Sequence, residues 1–161
     1  LPCAHPAIQL ASDLDRIEKL KLHILNIGHT YLVARFHALC DETASRSEDR
    51  DFKIGAVIVG PGHEVRATGY NGLPRGVGNE DATRFDRASG EKFFWIEHAE
   101  RNAIYNAARS GAALAGCTIY VNRFPCADCA RAIIQSGIVC ADCRRSRKTM
   151  ASWITVSMSR R

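Results

Sequence analysis

His98-Ala99-Glu100 and, further along, Pro125-Cys126-Ala127-Asp128-Cys129 supply an imidazole, two thiols and a spare carboxylate. Catalytic zinc sites use three protein ligands and leave the fourth position to water. His98, Cys126 and Cys129 are the candidate ligands, and Glu100 is the candidate acid/base that moves protons. Zinc held there would lower the pKa of water from about 15.7 towards about 7, so hydrolysis could run at neutral pH.

The spacing has to allow this. Glu97 to Arg109 is rich in helix formers and ends near Gly111, which predicts a helix opening close to His98. At its first turn the opening residue need not have regular dihedrals, so His98 and Glu100 can face one site. Pro125 predicts a second helix start, with Cys126 and Cys129 three apart on one face. A helix N-terminus favours thiolates, the form that binds metal. Backbone N–H groups near Ala99 and Cys126 are candidate donors to a substrate. An H-x-E element paired with P-C-x-x-C is the signature of zinc enzymes that attack a ring carbon bearing an exocyclic amine, such as C4 of cytosine.

A different construction competes. Cys126 and Cys129 with Cys140 and Cys143 have the spacing of a structural four-cysteine zinc site. The chain would then be a zinc-stabilised module that binds RNA or protein. Ala130 to Val139 weighs against this, because it reads as a helix stopping at Gly137 and then a short strand, where a zinc ribbon would need knuckle turns. Glu100 also weighs against it, since a structural zinc site needs no spare carboxylate. Cys140 and Cys143 then read as ordinary thiols, and Cys3, Cys40 and Cys117 as packing residues.

The 161 residues, 46% of them hydrophobic, are enough to bury one good core. No apolar run approaches the roughly 18 residues needed to span a bilayer. Leu1-Pro2-Cys3 lacks a basic start followed by an apolar block, so no secretory leader is expected. Seven scattered cysteines, some needed as reduced ligands, point to a reducing cytoplasm. The net charge of +5 comes from Arg144, Arg145, Arg147, Lys148, Arg160 and Arg161; the remainder carries −1. A solvated basic terminus explains this better than a nucleic-acid partner.

The elements that must position the site come in a regular order. Leu14, Ile17, Leu20, Ile24 and Ile27 predict an amphipathic helix over 12–27, closed by Gly28, and a second helix covers 29–39. Asp41 to Asp51 reads as a loop. Ile54 to Val59 and Val65 to Gly69 form a hairpin around Pro61-Gly62, and Tyr70 to Glu91 is a long polar loop of the functional kind. After the His98 helix come a strand over 118–121, the Cys126 helix and a strand after Gly137. This order predicts one mixed sheet flanked by helices, a three-layer α-β-α arrangement, with residues 1–28 a helical extension and 29–161 the main domain.

Gly55-Ala56-Val57-Ile58-Val59, Gly69-Tyr70-Asn71-Gly72-Leu73-Pro74-Arg75-Gly76, His98 to Ile104 and Ala132 to Ile138 resemble the deoxycytidylate (dCMP) deaminase branch of the cytidine deaminase-like fold. The likeness runs from about Tyr31 to Val139. It implies hydrolysis of dCMP to dUMP and ammonia with Zn2+, a homo-oligomer, and response to dCTP and dTTP effectors, with the Tyr70 to Glu91 loop the first place to look. It also implies that Asn71 contacts the sugar and that Ser47 lies near the 5′-phosphate, with Arg75 a second phosphate candidate. Phe93, Phe94 and Trp95 are candidates to stack on the base. Two departures stand out. Arg50 replaces a usual proline, and after Val139 the familiar elements are not recognisable. Met150 to Met158 reads as a shortened helix or, from its β-branched residues, a strand.

Overall fold

The computed structural model describes residues 6–144 and 153–157. Cys3 and the basic residues Arg145, Arg147, Lys148, Arg160 and Arg161 lie outside them. The chain resolves into two compact units, Leu1–Arg35 and Phe36–Arg161. The first is the N-terminal stretch of helix α1 (Pro6–Ser45), on which Ile17 and Leu20 are exposed. The two helices expected around Gly28 are one helix. An interior glycine costs only about 1 kcal/mol relative to alanine and does not by itself stop a helix. The same helix takes up the first half of the expected 41–51 loop, because Asp41 to Ser45 completes its last turns.

Everything else belongs to the second unit. Strands β1 (Gly55–Val59), β2 (Val65–Tyr70), β3 (Thr118–Val121), β4 (Cys140–Arg144) and β5 (Trp153–Ser157) form one sheet in the order β2-β1-β3-β4-β5. β1 pairs antiparallel with β2 and β3, β3 runs parallel to β4, and β5 returns antiparallel to β4. The parallel step requires a crossover, and α4 (Ala127–Gln135) supplies it between β3 and β4. Residues 153–157 are thus a strand, as their β-branched content allows.

Alternation along the strands separates two faces. Ala56, Ile58, Ile119, Val121, Ala141 and Cys143 pack against Ala99, Ala103 and Ala107 of α3 (Ala99–Ser110) and Ile133 of α4. The opposite face meets the end of α1: Phe36 stacks on Tyr120 at 4.9 Å, Cys40 Sγ donates to the Tyr120 carbonyl at 3.2 Å, and His37 meets Asp142 at 2.9 Å. Three layers result, with the sheet between. Glycines allow both close approaches. A Cβ at Gly55 would lie 2.0 Å from the Cys40 carbonyl oxygen, and one at Gly69 would lie 2.4 Å from that of Ala99. Gly111, at φ 72, ends α3 in the left-handed conformation. No helix among the described residues is long and apolar enough to cross a membrane.

Candidate active site

β3 and the loop before α3 deliver two helix N-termini to one place. His98 is the N-cap of α3, in extended conformation at φ −80 and ψ 152, and Cys126 is the N-cap of α4 at φ −73 and ψ 170. Because His98 precedes the first helical residue, its ring turns where an interior side chain could not, and Glu100 follows in the first turn. Pro125 stands before the cap rather than inside the helix.

His98 Nδ1 lies 3.5 Å from Cys126 Sγ and 3.4 Å from Cys129 Sγ. The three ligand atoms all fall within 4.8 Å of one another, and this is the only such group of His, Cys, Asp or Glu among the described residues. One imidazole and two thiols converging in this way are a zinc donor set lacking one ligand. The Cys129 backbone N–H also points at Cys126 Sγ, at 3.5 Å. Burial, and then the Glu100 carboxylate, push the Cys129 thiol above its ordinary range. A thiolate there requires an adjacent cation, which a divalent metal provides, so the residues fit the group. Cys140 and Cys143 stand outside the cluster. Three apart on β4, they project to opposite faces of the sheet, so the four-cysteine construction is not formed.

Glu100 is 4% exposed and outside the ligand group, yet it shares a cavity wall with His98 and Cys126. Burial raises its pKa, opposed by its own backbone N–H and by His98. A carboxyl held in that state is suited to carrying a proton. The cavity holds about 270 Å³ and is also lined by Phe52, Asn71, Arg87, Lys92, Phe93, Arg123 and Phe124, among others.

The other expected residues are distributed unevenly. Asn71 lines the cavity and is 3% exposed. Its Oδ1 accepts from Ile54 N–H at 2.8 Å, and its Nδ2 donates to Asp49 at 3.0 Å and to the Phe52 carbonyl at 2.8 Å. Ser47 is not on the wall: its hydroxyl donates to the Asn71 carbonyl at 2.7 Å and accepts from Asp49 N–H at 3.2 Å. Its polar capacity goes into holding the loop. Arg75 is not on the wall either, and donates to Asn106 Oδ1 at 2.5 Å. Ala99 is fully buried at the first position of α3 and does not line the cavity. Phe93 lines it, whereas Phe94 is 80% exposed and packs edge-on against Trp95.

Sequence reasoning passed over Asp49, Lys92, Arg87 and Arg123. Asp49 was visible as the acid of the Ser47-Glu48-Asp49 segment, and Arg123 stands three residues before Cys126. Lys92 and Arg87 carried no signal, because only the return of the long loop brings them to the wall.

The family model for the cytidine and deoxycytidylate deaminase zinc-binding region matches residues 32–142. The chain belongs to that family, whose metal is zinc. It is 40% identical over 106 residues to a probable deoxycytidylate deaminase of Caenorhabditis elegans, covering 65% of this chain and 52% of that one. It is 38% identical over 107 residues to the deoxycytidylate deaminase of Mus musculus, covering 64% and 58% respectively. The chain thus spans little more than half the length of these curated relatives. Among solved structures, the dCMP deaminase of cyanophage S-TIM5 in complex with dCMP and dUMP matches with a TM-score of 0.57 at 26% identity, covering 70% of this chain and 76% of that one. Its apo form gives a TM-score of 0.62 at 24% identity, covering 73% and 85%, and shares the fold.

Proposed function

We propose that this chain hydrolyses the exocyclic amine of a cytosine nucleotide, converting dCMP to dUMP and ammonia. The observation that carries the reading is a buried carboxyl, Glu100, sharing a cavity with three converging zinc-type donors while standing outside them. A purely structural zinc site has no use for such a group. The likeness to relatives named for this activity, one of them solved with dCMP and dUMP, points the same way.

In this reading His98, Cys126 and Cys129 hold the metal, which supplies a Lewis acid that makes water a nucleophile at neutral pH. Glu100 does the proton work. Its carboxylate takes a proton from the attacking water and gives it to N3 of the ring as the C4–O bond forms. It then passes the remaining water proton to the C4 amine, which departs as ammonia while the C4 carbonyl is completed. Asn71 holds the wall beside the sugar, and its Oδ1 keeps a second lone pair for a hydroxyl. Phe52, Phe93 and Phe124 line the cavity and offer aromatic faces to the base.

The reading includes a reducing cytoplasm, supported by the need for both thiols as ligands, and self-association, supported by exposed Phe93, Phe94 and Phe124. Ammonia release measured across dCMP, deoxycytidine, dCTP, cytosine and guanine tests the substrate. A dominant rate on dCMP is expected. Preference for guanine or free cytosine would reject a nucleotide substrate.

A further inference from the structure

The Asn71 side chain has one hydrogen-bonding position left. Both of its amide N–H bonds are spent, one on Asp49 Oδ2 at 3.0 Å and one on the Phe52 carbonyl at 2.8 Å. Its Oδ1 accepts from the Ile54 N–H at 2.8 Å, which uses one of two lone pairs. An amide turned the other way would set its oxygen against a carboxylate and a carbonyl, and its N–H bonds against another N–H. The orientation is therefore fixed, and what Asn71 offers the cavity is a single acceptor.

Asp49 is the charged part of that arrangement, and its two oxygens are divided. Oδ1 takes the Lys92 ammonium at 2.7 Å and the N–H groups of Asp51 and Phe52 at 2.8 and 3.2 Å. Oδ2 faces Asn71. Asp49 and Asn71 are both buried and line the cavity that holds His98 and Glu100. A charge-assisted bond is about twice as strong as a neutral one, so Asp49 is the dominant partner in setting the amide.

We propose that Asp49 is a positioning residue that acts through Asn71, making the contact at that wall acceptor-only. The chain then selects a cytosine nucleotide that carries a donor at C3′ over one whose 3′ oxygen is missing or esterified. This rests on the deaminase reading for the ligand, with Asn71 beside the sugar, whereas the polarity of Asn71 belongs to the fold alone. A 3′-hydroxyl donates to the open lone pair. An ester oxygen would set lone pair against lone pair, and a C–H would leave the acceptor without its bond.

The test uses the zinc-loaded full chain and three substrates: dCMP, its 2′,3′-dideoxy analogue, and its 3′-amino analogue, which keeps an N–H donor. The quantities read are kcat and KM for ammonia release, and the Kd of dUMP and of 2′,3′-dideoxyuridine monophosphate by calorimetry. In the parent, kcat/KM for the dideoxy analogue should fall about 5- to 30-fold below dCMP, and the amino analogue should stay within about 3-fold of it. Asp49→Asn keeps the size of the side chain. Its oxygen stays with the Lys92, Asp51 and Phe52 donors, so an NH2 replaces Oδ2 against the Asn71 amide. That variant should lose about 10-fold on dCMP, mostly in KM, and less than about 2-fold on the dideoxy analogue. Asp51→Asn, which loosens Lys92 without touching Asn71, should keep the parent's preference.

Equal losses on dCMP and the dideoxy analogue in Asp49→Asn would make the residue merely structural and overturn the proposal. So would a parent that handles the two substrates alike, an outcome that needs no variant to fold. A parent chain that releases no ammonia from dCMP, yet binds dUMP more tightly than its dideoxy analogue, would sink the deaminase reading and leave the positioning role standing. Were dUMP bound no better than that analogue, the role would go as well.

Discussion

Lys92 reaches across 43 residues of sequence to place its ammonium 2.7 Å from the Asp49 carboxylate, and both side chains are nearly inaccessible to solvent. Asp49 also accepts from the N–H groups of Asp51 and Phe52 and from the Asn71 amide. One carboxylate thus ties the loop before β1, the segment after β2 and helix α2 (Glu91–Trp95) into the wall beside the metal donors.

Breaking that pair should be costly. Lys92→Met leaves Asp49 buried without its cation, and the loss expected is about 3–5 kcal/mol. Urea unfolding of the two proteins at neutral pH measures it. A loss below about 1 kcal/mol would mean that the loop is held by other contacts.

The same pair gives a pH dependence with a definite sign. Burial would raise the Asp49 pKa, but the Lys92 ammonium and the two backbone N–H groups outweigh it and leave the value lowered. Its contribution is therefore fully present above the unfolded value of about 3.9 and lost as pH falls through the lower folded value. For Lys92, desolvation lowers the pKa, and bonds to Asp49 and Asp51 overturn that and raise it. Its contribution is fully present below about 10.4 and lost as pH rises through the higher folded value. The stability difference between the parent and Asp49→Asn should be flat from about pH 5 to 9 and shrink in acid. A difference that grows below pH 4 would contradict the sign.

Gly69 is expected to tolerate no side chain. A Cβ there would meet the Ala103 nitrogen at 2.3 Å and the Ala99 carbonyl oxygen at 2.4 Å, both backbone atoms of the helix that carries His98 and Glu100. Gly69→Ala should destabilise by about 1–3 kcal/mol through overpacking. It should also weaken zinc binding, because α3 must move off β2. Thermal unfolding and a competitive zinc titration measure the two effects, and unchanged zinc affinity would show that the helix end does not move with its middle.

Much of this was legible from residue types. The helix over Ala99–Ser110, the strand Thr118–Val121, the hairpin and the convergence of His98, Cys126 and Cys129 follow from periodicity, caps and motif spacing, which are local signals. The unbroken run of α1 through Gly28 was not legible. A glycine ends a helix only when the residues after it turn away, and His29 to Leu39 are themselves compatible with more helix. The phosphate candidates Ser47 and Arg75 come from motif likeness; in the fold Ser47 donates to the Asn71 carbonyl and Arg75 to Asn106 Oδ1. Lys92 and Arg87 reach the cavity through long-range closure, which leaves no periodic trace.

The remaining thiols should behave differently from the two proposed as ligands. Burial, then Asp142 and Glu100, push the Cys143 thiol up to about 12. It should resist alkylation in the folded protein at pH 8 and react once unfolded. Cys143→Ser should keep its zinc, while Cys129→Ser should lose it. Mass spectrometry of modified peptides and metal analysis measure both, and zinc loss from Cys143→Ser would return it to the ligand set.

The most direct measurement replaces the carboxyl that does not ligate. Glu100→Gln, purified alongside the parent, is assayed for bound zinc and for ammonia released from dCMP. Zinc content should be retained and kcat should fall at least about 100-fold, the scale of a lost general acid/base. Loss of the metal together with the fold, or an undiminished rate, would contradict the role given to Glu100.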